Sequence, residues 1–253
     1  MTTQKAWLLV DLGFGDQGKG SIVDFLTRSE NAHTVIRFNG GAQAAHNVIA
    51  PDGRHHRFRQ FGSGTFVEGV KTYLSRFMLV SPWSLIYEEE LLQKVGVIDA
   101  FERTTISEAA LVITPFHQAA NRLRELARGE GRHGSCGMGI GETQSDANTL
   151  SEDLIVHMRD LNDLEAFAKK LRRVQIKKLS QLAEDGVLAK VQNIEVAREE
   201  LEILTDMNAP SEFVAILAED MSRFNIVPEN HLGTIFSATG TIIFEPAQGV
   251  LLD

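Results

Sequence analysis

Residues 13–21, "GFGDQGKGS", set four glycines around one acid and one lysine, the materials of a phosphate seat. Glycine loops at a helix start bind phosphate because their amides are unpaired and the helix dipole is positive there. Gly13 to Lys19 fit the nucleotide-loop pattern G-x-x-x-x-G-K-S/T, yet Gly20 stands where the magnesium-binding hydroxyl belongs, and Ser21 comes one residue late. Asp16 lies inside the loop, where phosphate repels it unless a cation or a proton-transfer role compensates, so it reads as a metal ligand, a general base, or both. Lys19 offers a positive charge to the phosphates, and Gly15, Gly18 and Gly20 allow close backbone approach. Without a ligand, the same stretch would be only a tight strand-to-helix turn.

His46 closes a second glycine loop, "NGGAQAAHN" (39–47). Both loops follow stretches that read as adjacent parallel strands, so Asp16 and His46 are expected on the sheet edge where open α/β folds bind ligands. An acid and a histidine converging over a phosphate loop point to phosphoryl transfer with proton movement. A third loop, "HGSCGMGIGET" (133–143), mixes glycines with small hydroxyl and thiol side chains, which suits a second phosphate held by amides, Ser135 and Cys136. Its bland alternative is a surface loop. Cys136 has no histidine near it in sequence except His133, too close along the chain to indicate a nucleophile and base.

These loops need a scaffold. "AWLLVDL" (6–12) has buried-strand length, "GSIVDFLTR" (20–28) has helical spacing, and "HTVIRF" (33–38) reads as a second strand, a βαβ unit. "PDGR" (51–54) signals a hairpin, Ser81 and Pro82 start a helix that Gly96 ends, and a strand passes into a helix at Pro115. Seventeen of the 21 glycines lie at or before Gly141, so the first part is built of loops and the following stretch, to about Asn225, mostly of helices, with breaks near Gly186 and Asn208–Pro210. The basic run "AFAKKLRRVQIKKLSQLAED" reads as a solvated amphipathic face. "TGTIIFEPAQGVLLD" is a strand running into a loop. The expected fold is α/β with a mostly parallel central sheet: residues 1–145 carry sheet and glycine loops, 146–235 a helical cover, and 236–253 a returning strand and substrate loop.

A net charge of -9 argues against broad attraction to nucleic acid or anionic lipid, and leaves small-molecule chemistry. The one cysteine excludes an internal disulfide and suits a reducing compartment. No apolar run reaches signal-core or membrane-spanning length, so a cytoplasmic protein is expected.

Taken in order, the three loops and the C-terminal stretch resemble the adenylosuccinate synthetase family. "GDQGKGS" matches a GDEGKGK-like loop, "GGAQAAHNV" a GGxNAGHT-like loop, "GSCGMGIGE" a GTTxxGIGP-like loop, and "EPAQGVLLD" the EGAQG motif with its following xLLD. The resemblance covers essentially the whole chain. It implies a homodimeric ligase that joins aspartate to the 6-position of inosine monophosphate, using GTP and Mg2+ through a 6-phosphoryl intermediate. By that resemblance Asp16 removes the purine N1 proton and binds Mg2+, and the backbone carbonyl at Ala45 helps bind the metal. His46 assists phosphoryl transfer, while Lys19 and its neighbouring glycines hold GTP phosphates. Gln43, Ser135, Cys136 and Gln248 fall on nucleotide-binding positions.

Six positions depart from the family pattern: Gln43 replaces an asparagine, Ala45 a glycine, Cys136 a threonine, Met138 an arginine, Glu142 a proline and Pro246 a glycine. These changes lie in or beside motifs that surround the substrate in relatives, so a different purine nucleotide is expected, such as a 2-amino or deoxy purine nucleotide like dGMP, with GTP or another NTP as donor. The rivals are a phosphotransferase or NTPase on the same loops, and a non-catalytic nucleotide-binding module. Family determinants for aspartate and guanine lie beyond the EGAQG motif, so these 253 residues alone are expected to fold and bind phosphate without forming the carbon–nitrogen bond.

Overall fold

In the computed structural model, which describes residues 4–252, the first apolar run forms strand β1 only over Lys5–Leu8. It leaves the sheet earlier than its hydrophobicity suggests. Asp11 turns its carboxylate back on the chain, accepting from Gly13 N at 2.9 Å and Gln17 N at 3.3 Å. Helix α1 (Lys19–Ser29) follows, entered through Gly18 at a left-handed φ of 78° and with no side-chain cap on its first amides. Next come β2 (Ala32–Arg37), the short β3 (Gly40–Gly41), and the antiparallel hairpin β4 (His46–Ile49) and β5 (His55–Phe58) around the expected turn. Strands β6 (Lys71–Leu74) and β7 (Met78–Val80) lead to α2 (Pro82–Lys94), which Ser81 caps by accepting from Ser84 N, and then to β8 (Thr104–Ser107).

The chain forms two compact units, the second spanning Leu111–Met221. That unit opens with β9 (Leu111–Val112) and α3 (Pro115–Ala127), whose start is closed by a reciprocal Thr114–His117 capping box. Helices α4 (Ile140–Thr149), α5 (Leu164–Glu184), α6 (Val187–Val191), α7 (Arg198–Thr205) and α8 (Ala209–Ala218) follow. Phe167, Leu171, Val174 and Leu182 give α5 its buried stripe at helical spacing. Helical breaks fall at Gly186 and before Ala209 as expected; a further one, at 192–197, carries no Gly or Pro to announce it. The sequence-drawn boundaries at 145 and 235 differ from these units because the third glycine loop is bonded to α3 and belongs with the helices.

The first unit resumes with β10 (Asn225–Val227), α9 (His231–Ser237) and β11 (Thr241–Glu245). Its six-stranded sheet runs β1-β11-β2-β6-β8-β10, every pairing parallel. The first two strands are therefore not neighbours: β11 lies between them. "TIIFE" is apolar enough to be buried on both faces, which a central parallel strand requires. Val35 and Ile243 pack with Val23 of α1 on one face, and Ile36 and Ile242 with Ile235 of α9 on the other. The carboxyl ends of β1, β11 and β2 thus open on one edge, each into a glycine-bearing loop.

Candidate active site

In the first loop Lys19 is turned inward. Its Nζ donates to Asp11 Oδ2 at 3.0 Å and to the carbonyl of Gly15 at 2.8 Å, and both charged side chains are almost fully buried. Burial pushes the Asp11 carboxyl up, but the Lys19 ammonium and the amides of Gly13 and Gln17 outweigh it and leave the group lowered to about 2. The pair braces residues 11–19 into one shape.

Gly20 explains the departure from the nucleotide-loop pattern. A Cβ there would lie 2.9 Å from both the carbonyl oxygen of Asn47 and the carbonyl carbon of His46. No Ser or Thr fits where α1 begins, because β4 already lies against it. This contact also brings His46 to the first loop, as expected, although by packing across the hairpin and not by way of neighbouring strands. The segment after β11 closes the other side. Gly249 rests on the backbone of Gly13 and Gly15, where a Cβ would come within 2.1 Å of Gly13 O, and Val250 N donates to Asp11 O at 2.9 Å. Asn39 Oδ1 accepts from Ala247 N at 2.9 Å, which ties the second loop to the same segment.

His46 sits at the centre of this convergence, 5% exposed. Its Nδ1 donates to Glu245 Oε1 at 2.5 Å, and its Nε2 lies 3.0 Å from the carbonyl of Ala247. Both ring nitrogens face acceptors, an arrangement that a doubly protonated ring satisfies on each side. Glu245 also accepts from Ser63 N at 2.9 Å and Ser63 Oγ at 2.5 Å. Burial pushes the Glu245 carboxyl up, but the positive charge of Arg37, its register partner on β2, together with His46 and Ser63, brings it down to about 2. Arg37 is fully buried and donates Nη1 to the carbonyls of Arg59 and Phe61, both at 3.2 Å.

Asp16 is exposed, and among the described residues nothing pairs with its carboxylate. Ala45 is exposed on the approach to β4. Gln43 is partly buried, and among the described residues its Oε1 is a buried acceptor without a hydrogen-bond partner. Gln248 is partly exposed, its Cα 3.2 Å from where a Cβ on Gly15 would stand. These donors fit Mg2+: Asp16 is a hard oxygen ligand left unengaged by the loop's one cation, which Asp11 holds instead. No three His, Cys, Asp or Glu side chains group into a metal site among the described residues, so phosphate and carbonyl oxygens would have to complete the set.

Ser135 and Cys136 belong to the second unit. Both are exposed, and Ser135 Oγ accepts from Asn121 Nδ2 at 3.2 Å. Asn121 Oδ1 accepts from Gly139 N at 3.3 Å, and Arg122 Nε donates to Gly137 O at 3.3 Å, so one face of α3 holds the whole loop. Glu142, which lines the cleft beside this loop, is neutralised within the second unit. Arg124 Nε lies 2.8 Å and Lys178 Nζ 2.9 Å from its carboxylate, and Lys178 also reaches Asp146 at 2.7 Å. The face of α5 that reads as solvated therefore buries one of its lysines, because two carboxylates of α4 lie beneath it.

The sequence reading gives no site role to Asp11, Asn39, Ser63 or Glu245, although Asn39 opens "NGGAQAAHN" and Glu245 opens "EPAQGVLLD". Two of them carry a signal in the sequence. An acid closing the strand "TIIFE" must be compensated if the strand is central, and an acid just ahead of a glycine loop can serve its amides as well as repel phosphate.

The adenylosuccinate synthetase family model matches residues 8–253. Adenylosuccinate synthetase from Paraburkholderia phymatum is 33% identical over 246 residues, covering 97% of this chain and 50% of that protein. Adenylosuccinate synthetase 1 from Cupriavidus pinatubonensis is 32% identical over the same length and coverage. Among solved structures, fully ligated adenylosuccinate synthetase from Plasmodium falciparum shares the fold at a TM-score of 0.70 and 20% identity, over 98% of this chain and 52% of that one. The chain spans about half the length of the curated relatives it matches. With its first, second and C-terminal motifs meeting on one sheet edge and the family model matched from residue 8 onward, the chain belongs to the adenylosuccinate synthetase family.

Proposed function

We propose that this chain carries the phosphoryl-transfer half of a purine-nucleotide ligase, which phosphorylates the 6-oxygen of a purine nucleotide with GTP or another NTP so that the amine of aspartate can attack C6 and expel that oxygen as inorganic phosphate. The observation that carries the reading is the division of labour between two acids of one loop: Asp11 is engaged by Lys19, and Asp16 is left free. A free carboxylate beside uncapped helix amides suits a site where a proton leaves as a phosphoryl group arrives.

Asp16 would take the N1 proton and, with the carbonyl of Ala45, hold Mg2+. The ion, when bound, would neutralise charge on the transferring phosphates. Lys19 keeps the loop's shape from within, and the amides at the start of α1 face the phosphates. His46, held by Glu245, would exchange the carbonyl of Ala247 for a phosphoryl oxygen at Nε2. Gln43 and Gln248 flank the nucleotide, and the unpartnered Oε1 of Gln43 is available to a ligand N–H. Ser135 and Cys136 would serve the nucleotide's own phosphate. A homodimer in the cytoplasm is the family's arrangement as the sequence implies it; no described helix is long and apolar enough to cross a membrane.

The test is to assay the natural full-length polypeptide with Mg2+, aspartate, GTP or ATP, and each of IMP, GMP and dGMP, following succinyl-nucleotide formation. Asp16→Asn should lower turnover by about 100-fold or more while leaving thermal stability unchanged, since its carboxylate supports nothing in the fold. Near-normal turnover in that variant would overturn the assignment of Asp16. NTP hydrolysis that ignores aspartate would favour the phosphotransferase alternative.

A further inference from the structure

The third loop already holds an anion of its own. Glu125, in the last turn of α3, accepts at a single oxygen, Oε2, from two consecutive amides, Gly134 N at 3.0 Å and Ser135 N at 3.3 Å. Its other oxygen is paired with Arg128. Gly134 is left-handed, with φ at 71°, and this backbone turn aims both N–H groups at one point, the geometry of an anion nest. A buried acid at a helix C-terminus is on the wrong end of the dipole, so α3 itself gives Glu125 no reason to be there. The loop amides and Arg128 do.

We infer that Glu125 is an internal gate on the third loop: its carboxylate occupies the Gly134–Ser135 amides that a phosphate monoester would use, and the ligand binds there only when Glu125 swings away. The amides can serve one anion at a time, and a phosphate beside a retained carboxylate would meet strong repulsion in a half-buried setting. Space for the exchange is present. Glu125 lines a cleft of about 320 Å³ with Arg124, Arg128, Ser135 and Glu142, and a second hollow of about 240 Å³ with Arg122, Arg132 and Glu200. Arg128 and Arg132 offer the incoming phosphate and the displaced carboxylate a partner, while Arg124 is already shared between Glu142 and Asp185. Ser135 Oγ, held by Asn121, lies on the same seat, so phosphate arrival would be read by α3 directly. The inference rests on the proposed use of this loop for a nucleotide phosphate.

The experiment titrates inorganic phosphate, and separately a purine nucleoside monophosphate, into the wild type, Glu125→Ala and Glu125→Gln, reading affinity by calorimetry and the Gly134 and Ser135 amide resonances by NMR. A gate reduces apparent affinity by the fraction of molecules that are closed, so Glu125→Ala should bind phosphate about 10-fold more tightly than the wild type, with Glu125→Gln between them and both amides shifting on titration. A merely structural Glu125 gives the opposite sign, weaker binding as the loop loses its anchor, and that result overturns the gate. Equal affinity in all three proteins, or binding that leaves the two amides unmoved, overturns it too. The isosteric Gln variant, checked by its unchanged amide dispersion elsewhere, separates gating from unfolding. Phosphate binding that obeys the gate while no nucleotide binds would uphold the gate and remove the nucleotide reading. Nucleotide binding with the two amides silent would do the reverse.

Discussion

Glu245 Oε1 lies 2.5 Å from His46 Nδ1, joining residues 199 positions apart at the end of a buried central strand. The contact fixes the ring's orientation and gives its Nδ1 proton a charged acceptor, while Arg37 keeps that acceptor ionised. Glu245→Gln keeps the shape and removes the charge. Turnover of the full-length enzyme is expected to fall roughly 10²-fold with nucleotide affinity nearly unchanged, a kcat effect that marks positioning rather than binding. The same variant removes the negative charge that faces the buried Arg37 guanidinium, which should lower the midpoint of urea unfolding. A change confined to KM would contradict the positioning role.

Gly20→Ser would restore the hydroxyl of the ordinary nucleotide loop, but the packing around α1 leaves no room for it. The new Cβ meets the backbone of His46 and Asn47 at 2.9 Å. Overpacking of this kind costs about 1–3 kcal/mol, and here it would push His46 off its partners. Thermal denaturation should show the loss, and activity should drop as well. Enhanced Mg2+ affinity with full stability would show that the hairpin yields more easily than its contacts indicate.

Asp11 and Glu245 both have folded-state pKa values lowered to about 2. A depressed carboxyl contributes stability that is fully present above its unfolded value, about 4, and that disappears as pH falls through the folded value. The contribution of these two carboxyls to the unfolding free energy should therefore be constant near neutrality and decline between about pH 4 and pH 2. Lys19→Met removes the main partner of Asp11, so its deficit relative to the wild type should be largest near neutral pH and should close as the solution is acidified toward about pH 2. A deficit that is constant with pH would mean that Lys19 contributes through packing alone.

The motifs locate the site because glycines and lone charged residues in an apolar strand-and-loop setting are locally costly and so conspicuous. Asp16, Lys19 and His46 stand out in this way. What they touch does not. The insertion of β11 between β1 and β2 is a long-range pairing with no local signature, and Glu245 acquires its meaning only when that strand lies beside Arg37. Lys19 reads as a charge for ligand phosphate because its partner, Asp11, sits inside an apolar run that looks like unbroken strand. Glu142 reads as a substrate change because Lys178, which neutralises it, sits on another helix in a run that looks uniformly solvated.

The bare hydrogen of Gly20 against β4 makes the phosphate loop and the hairpin a single heritable part. Neither can be grafted into another α/β scaffold, or drift far by mutation, without the other following. A designer who borrows "GDQGKG" alone acquires a turn, whereas the pair together keeps the backbone of His46 against the start of the helix.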